Sequence, residues 1–185
     1  NNWKFIDQIT LGTYLDGRDI YWNPTKGYYI GQSFTLAGGF LFGDRDFIRT
    51  DSRLEGFLTL LNLPVSDTWN LQLVLAGHTA LSMILPNFTF PSLTWRKITD
   101  DTERLYIDGM TIGRGWSQLY VYGDALWDNK LELRMPLAKD VVWLSSFFDA
   151  VALLSSPSDL SPLFGSGNSF LGGFRFSYGI GLRFT

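Results

Sequence analysis

The residues of this chain best placed to do something specific are an arginine between glycines and an aspartate in a strand-like run. Ile112-Gly113-Arg114-Gly115-Trp116 falls in a long irregular segment, about Pro86 to Ser117. On its own it reads as a glycine-rich turn with a solvated arginine. Asp149 ends Phe147-Phe148-Asp149 and shares its parity with Trp143, Ser145 and Phe147, while Val142, Leu144, Ser146, Phe148 and Ala150 form a mostly apolar opposite set. Successive strand residues point to opposite faces, so Asp149 is expected on the less apolar side, well inside a strand. A buried carboxylate is costly unless paired. A long loop folding back would bring Arg114 to it, and the planar guanidinium fork suits such a carboxylate. The other reading leaves Asp149 in a wet lumen with no fixed partner. Glu132 and Arg134 share a parity on the preceding run, and either extend such a network or pair only with each other or with water.

Other candidates carry less. His78 is the only histidine and cysteine is absent, which is a poor donor set for zinc and gives no geometry for a Ser-His-Asp set. His78 reads as a polar lumen residue. Asp100-Asp101 and Asp44-Arg45-Asp46 read as solvated loop acids rather than calcium ligands. Gly165-Ser166-Gly167 has no strand–helix context for a nucleotide loop. No cofactor or metal is expected, and no enzymatic activity. With a net charge of −3, a nucleic-acid partner is not expected either, since phosphate backbones call for basic patches.

Seven runs must position these residues: about 3–15, 28–40, 51–61, 70–81, 119–136, 141–152 and 174–185. The last shows the pattern best. From Phe174 to Thr185, Phe, Phe, Tyr, Ile, Leu and Phe alternate with Arg, Ser, Gly, Gly, Arg and Thr. One greasy face and one polar or empty face suit a strand with lipid outside and a polar lumen inside. Pro64 to Thr68 reads as a turn, as does Leu137 to Asp140. The segments at about 86–117 and 153–169 are long and lie on the side opposite the Leu137 turn, as outer loops do in outer-membrane barrels. No helical stripe of useful length is present. Charged residues make up 18% of the chain, below the roughly 25% of soluble domains, which weighs against a soluble β-sandwich. The expected fold is therefore all-β: an antiparallel transmembrane β-barrel, partial, with about seven strands of a larger barrel. Seven strands are too few to close around a lumen.

Five short motifs in order resemble one family. Arg114-Gly115-Trp116 resembles the Arg-Gly-aromatic tip of the in-folded loop of BamA-like outer-membrane insertases and translocators. Leu131-Glu132-Leu133-Arg134 is similar to the strand after that loop, and Phe147-Phe148-Asp149 to the Phe-x-Asp of the next. Asn23-Pro24-Thr25-Lys26-Gly27 resembles an earlier turn motif, and Ser177-Tyr178-Gly179-Ile180-Gly181-Leu182 the strand after the aspartate. The chain departs from the pattern at Val151, where glycine is usual, at Gly113, where an aliphatic is usual, and at Trp116, where Phe or Tyr is usual. The resemblance implies that residues 1–185 are the C-terminal part of an outer-membrane barrel, with 86–118 a loop folded into the lumen. It implies that Gly113, Arg114, Gly115 and Trp116 form the loop motif, that Asp149 partners Arg114, and that Glu132, Arg134 and Phe147 support the pair. The implied function is insertion and folding of other β-barrel proteins in the outer membrane. The implied partners are unfolded outer-membrane proteins, periplasmic chaperones, accessory lipoproteins and the lipid bilayer. The alternatives are a two-partner-secretion type translocator and a plain porin or adhesin-like barrel.

Overall fold

The computed structural model describes residues 4–41, 43–67, 69–89, 94–96, 103–116, 122–138, 141–160 and 173–184. The strands are β1 (Gln8–Asp16), β2 (Gly27–Ala37), β3 (Phe47–Ser66), β4 (Trp69–Thr89), β5 (Thr94–Arg96), β6 (Ala125–Ala138), β7 (Val142–Leu154) and β8 (Arg175–Phe184). Seven of them form an open antiparallel sheet in the order β1-β2-β3-β4-β6-β7-β8, and the short β5 pairs with β4. The expected all-β, seven-stranded antiparallel architecture is what the molecule adopts.

The alternation in the sequence becomes the two faces of this sheet. Ile30, Leu54, Leu75, Leu131, Leu133, Phe148, Ile180 and Leu182 fall on the outer face by register. The same register puts Arg53, Glu55, His78, Asp128, Lys130, Glu132, Asp149 and Arg183 on the inner face. Outer residues stay open, with Ile180 79% exposed, which is stable only against an apolar medium. Polar residues on that face satisfy one another. Gln32 bonds Thr50 and Ser52, and Thr79 bonds Asn129 and the Trp127 indole N–H.

Strand ends differ from the expected ones for a common reason. β3 runs through Pro64 to Ser66, β4 through Pro86 to Thr89, and β6 through Pro136 to Ala138. Pro64 to Ser66 and Pro86 to Thr89 are therefore strand rather than the expected turn and loop, while Asp67 is in a turn. Each proline lies past the last residue paired on one side of its strand: Phe57 facing β2, Met83 facing β6, and Arg134 facing β4. Proline lacks an N–H, which a strand tolerates where no neighbour needs it. β3 also carries a register shift between Thr59 and Leu61. The extra residue moves the apolar phase from Leu54 and Leu58 to Leu61 and Leu63, so both sets stay on the outer face. At the other end of the chain, β1 starts at Gln8 rather than near Trp3, and residues 119–121 and 139–140 lie outside the described residues.

The β1–β2 connection is tied together by one carboxylate. The Asp19 carboxylate accepts from the N–H groups of Ile20, Thr25 and Lys26 and from the Thr25 hydroxyl. Burial pushes this carboxyl up, but those donors outweigh it and hold it below the ordinary range. Residues 103–116 return from the far end of the sheet and pack on the inner face. There Leu105 and Ile107 form the main apolar core with Ala37, Phe47, Ile84, Leu126 and Val151. These wall residues lie near the strand ends joined by the long connections. That part of the interior is apolar, and the charged part lies beyond it.

Candidate functional site

The loop tip is a compact turn built on glycine. Gly109, Gly113 and Gly115 have φ of 73°, 64° and 84°, conformations that other residues adopt only at a cost. Gly115 N–H donates to the Gly109 carbonyl and Trp116 N–H to the Gly113 carbonyl. Gly113 has a second constraint, because a Cβ there would lie 2.9 Å from Ile107 Cγ2 and 2.9 Å from Val151 Cγ1. Asp108 organises the preceding bend by accepting from the N–H groups of Met110, Thr111 and Ile112 and from the Thr111 hydroxyl. Behind the tip, Leu105 and Gly123 exchange two backbone hydrogen bonds, and Arg104 Nε donates to Asp124 at 2.8 Å.

This scaffold aims Arg114 at β7. Its Nε donates to Asp149 Oδ2 at 2.7 Å and its Nη2 to Oδ1 at 2.6 Å, while its backbone N–H reaches Oδ2 at 3.2 Å. Asp149 thus grips both the fork and the main chain of the tip, and it is 1% exposed. The remaining Arg114 nitrogen, Nη1, donates to Glu132 Oε1 at 2.5 Å. Glu132 also accepts from Arg134 Nε at 2.8 Å, and Arg183 Nη1 lies 3.8 Å away. The Phe147 ring lies under the guanidinium, 3.9 Å from its carbon to the ring centroid, a cation–π contact. The structure therefore brings Arg114, Glu132, Arg134, Phe147 and Asp149 together. Gly113 and Gly115 shape the turn. Trp116 joins through its backbone N–H, with its side chain partly exposed.

A second inner-face network spans β3, β4 and β6. His78 Nδ1 lies 3.1 Å from Glu55 Oε1, and His78 Nε2 lies 3.6 Å from Asp128 Oδ2. Lys130 holds Asp128 at 2.7 Å and Arg53 holds Glu55 at 2.5 Å. His78, read from the sequence as a polar lumen residue, is a link in this network. A cavity of about 170 Å³ beside it is lined by residues of both networks, among them Arg53, Lys130 and Arg134. Among the described residues no three His, Asp or Glu side chains converge as a metal site. Asp100, Asp101 and Gly165 to Gly167 lie outside the described residues.

Sequence reading missed Asp108, Leu105, Ile107 and Arg183. Asp108-Gly109-Met110-Thr111 was legible as a side-chain-capped turn, and Leu105-Tyr106-Ile107 as a short alternating run. Asp108 also yields a pH test. Its burial raises the carboxyl, but the Thr111 hydroxyl and three backbone N–H groups prevail and hold it below the ordinary range. A carboxyl lowered on folding adds stability that is full above its unfolded pKa, about 4, and is lost as pH falls through the folded value. Asp108→Asn, which cannot titrate, is expected to be less stable than wild type at pH 7. The two thermal-unfolding curves should converge below about pH 4. An offset unchanged from pH 7 to pH 3 would show that the carboxylate charge is irrelevant to the turn.

The model of the Omp85 superfamily domain matches residues 1–185. A protein of Treponema pallidum (strain Nichols), described as a candidate outer membrane protein assembly factor, is 34% identical over 200 residues, which cover 100% of this chain and 24% of that protein. The chain thus spans about a quarter of that relative's length. The crystal structure of BamA from Haemophilus ducreyi lacking POTRA domains 1–3 superposes with a TM-score of 0.65 at 17% identity, covering 96% of this chain and 36% of that one. At that identity the likeness concerns the fold.

Proposed function

Because the chain belongs to the Omp85 superfamily, we propose that it is the C-terminal barrel part of an outer-membrane assembly factor that inserts and folds other β-barrel proteins. It resides in the outer membrane, with its apolar outer face against lipid. One observation supports this reading most: a loop tied to the inner wall through Arg114, Asp149 and Glu132 in a sheet whose outer face is apolar. The bidentate pair with the buried Asp149 would keep the loop in place while the strands around it change shape, as an assembly factor requires. In this proposal Arg114, Asp149, Glu132, Arg134 and Phe147 form a brace that holds the loop, of which residues 103–116 are the part packed on the inner face. The barrel acts by offering strand edges and lipid-facing surface to clients rather than by bond chemistry. Unfolded outer-membrane proteins are its clients, delivered by periplasmic chaperones and handled together with accessory lipoproteins.

The test is Arg114→Ala in the parent protein at matched levels, followed by quantitative proteomics of outer membranes. A broad loss of other β-barrel proteins is expected. Loss of a single secreted partner would instead identify an exporter, and an unchanged outer-membrane proteome would reject the assembly role.

A further inference from the structure

Phe147 lies directly opposite Gly179 in the β7–β8 ladder. A Cβ at Gly179 would meet Phe147 Cζ at 2.8 Å and Cε1 at 2.9 Å, closer than real carbon contacts allow. The tip of the ring therefore sits against the backbone of β8 at Gly179, and the Arg114 guanidinium carbon lies 3.9 Å from the ring centroid. The ring thus touches both the β8 backbone and the guanidinium, which Asp149 and Glu132 hold by its nitrogens. Gly181, two residues further along the same face, has nothing within 4 Å of its would-be Cβ.

We propose that Gly179 is a positioning residue for the loop lock: its missing side chain sets the height of the Phe147 ring, and the ring sets the height of Arg114. A methyl group at 179 pushes the ring outward, into a guanidinium whose place two carboxylates already fix. Either the ring leaves or the arginine does. Elsewhere in a strand, replacing glycine with alanine is favourable, since it removes backbone freedom from the unfolded chain. The same substitution two residues apart should therefore have opposite consequences. A cross-strand aromatic can also cover a glycine simply to shield the strand, and in that case Gly179→Ala would leave the loop undisturbed. The inference stands on the geometry of the lock and is read out on the loop itself, so it does not depend on the assembly role.

The experiment uses the parent protein in outer membranes with Ile107→Cys, a position that is fully buried between loop and wall. A water-soluble maleimide labels this thiol only when the loop lifts, and peptide mass spectrometry assigns the label to position 107. Gly179→Ala is expected to raise the labelling rate about tenfold, as overpacking by a methyl does in a tight site, while Gly181→Ala leaves it unchanged or lower. In a Phe147→Ala background, Gly179→Ala should add less than about twofold, the limit for uncoupled sites. Equal behaviour of Gly179→Ala and Gly181→Ala would overturn the proposal. So would an undiminished effect of Gly179→Ala without the Phe147 ring. Should Gly179→Ala fail to assemble, the Phe147→Ala/Gly179→Ala pair, where the methyl has room, must assemble, and its failure would overturn the proposal as well.

Discussion

Asp149→Ala is expected to be among the most damaging single substitutions on the inner face. It removes two side-chain bonds and one backbone bond to Arg114 at once, and it leaves the arginine with Glu132 as its one carboxylate partner. Breaking a buried pair by removing one partner costs about 3–5 kcal/mol. Arg114 is 23% exposed along its side chain and keeps Glu132, so the lower end, about 3 kcal/mol, applies. For an unfolding unit of about 150–250 residues that lowers the thermal midpoint by roughly 6–12 °C, readable from heat-modified mobility on semi-native gels. The double variant Arg114→Ala/Asp149→Ala should cost less than the sum of the singles, because no charge is stranded and Glu132 retains Arg134. Strict additivity would mean that the two side chains do not act as a pair. A charge-reversed pair is a poor rescue here, since an aspartate at 114 would face Glu132.

Gly113→Ala is expected to follow closely, for a reason unrelated to charge. The residue is left-handed, which costs about 1–2 kcal/mol for any side chain. Its methyl would also be wedged between Ile107 and Val151, adding about 1–3 kcal/mol of overpacking. Gly115 has the same backbone handedness but open space at its Cβ, so Gly115→Ala should pay the first cost only. Comparing the two thermal midpoints separates strain from crowding. Equal losses would show that the loop yields at Gly113 and that the contact with the wall is loose. The glycine before Arg114 is a departure from the usual motif of the family, and so is Val151. In the structure the two departures touch: a small residue on the loop makes room for a larger one on the wall.

Much of this was legible from alternation alone. The seven strands, their two faces and the inward parity of Glu132, Arg134 and Asp149 follow from which residues are apolar at spacing two. Three things were not legible. Prolines 64, 86 and 136 looked like strand ends, because whether proline is tolerated depends on a neighbouring strand that the local sequence does not show. Leu60-Leu61 looked like the end of an alternation, whereas a bulge resets the phase and the strand continues. The grip of Asp149 on the Arg114 backbone, and the contact of Gly179 with Phe147, depend on angstrom-scale heights between elements far apart in the chain. Parity narrows such contacts to a face and goes no further.

Both carboxylates that Arg114 binds lie downstream of it. Glu132 follows Arg114 by 18 residues and Asp149 follows by 35, and Gly179 comes later still. Closing loops of that length has an entropic cost that only a formed sheet repays. Until β6 and β7 have paired, the arginine has nothing to hold. The lock is thus expected to close only after β6 and β7 have paired, late in the folding of this segment.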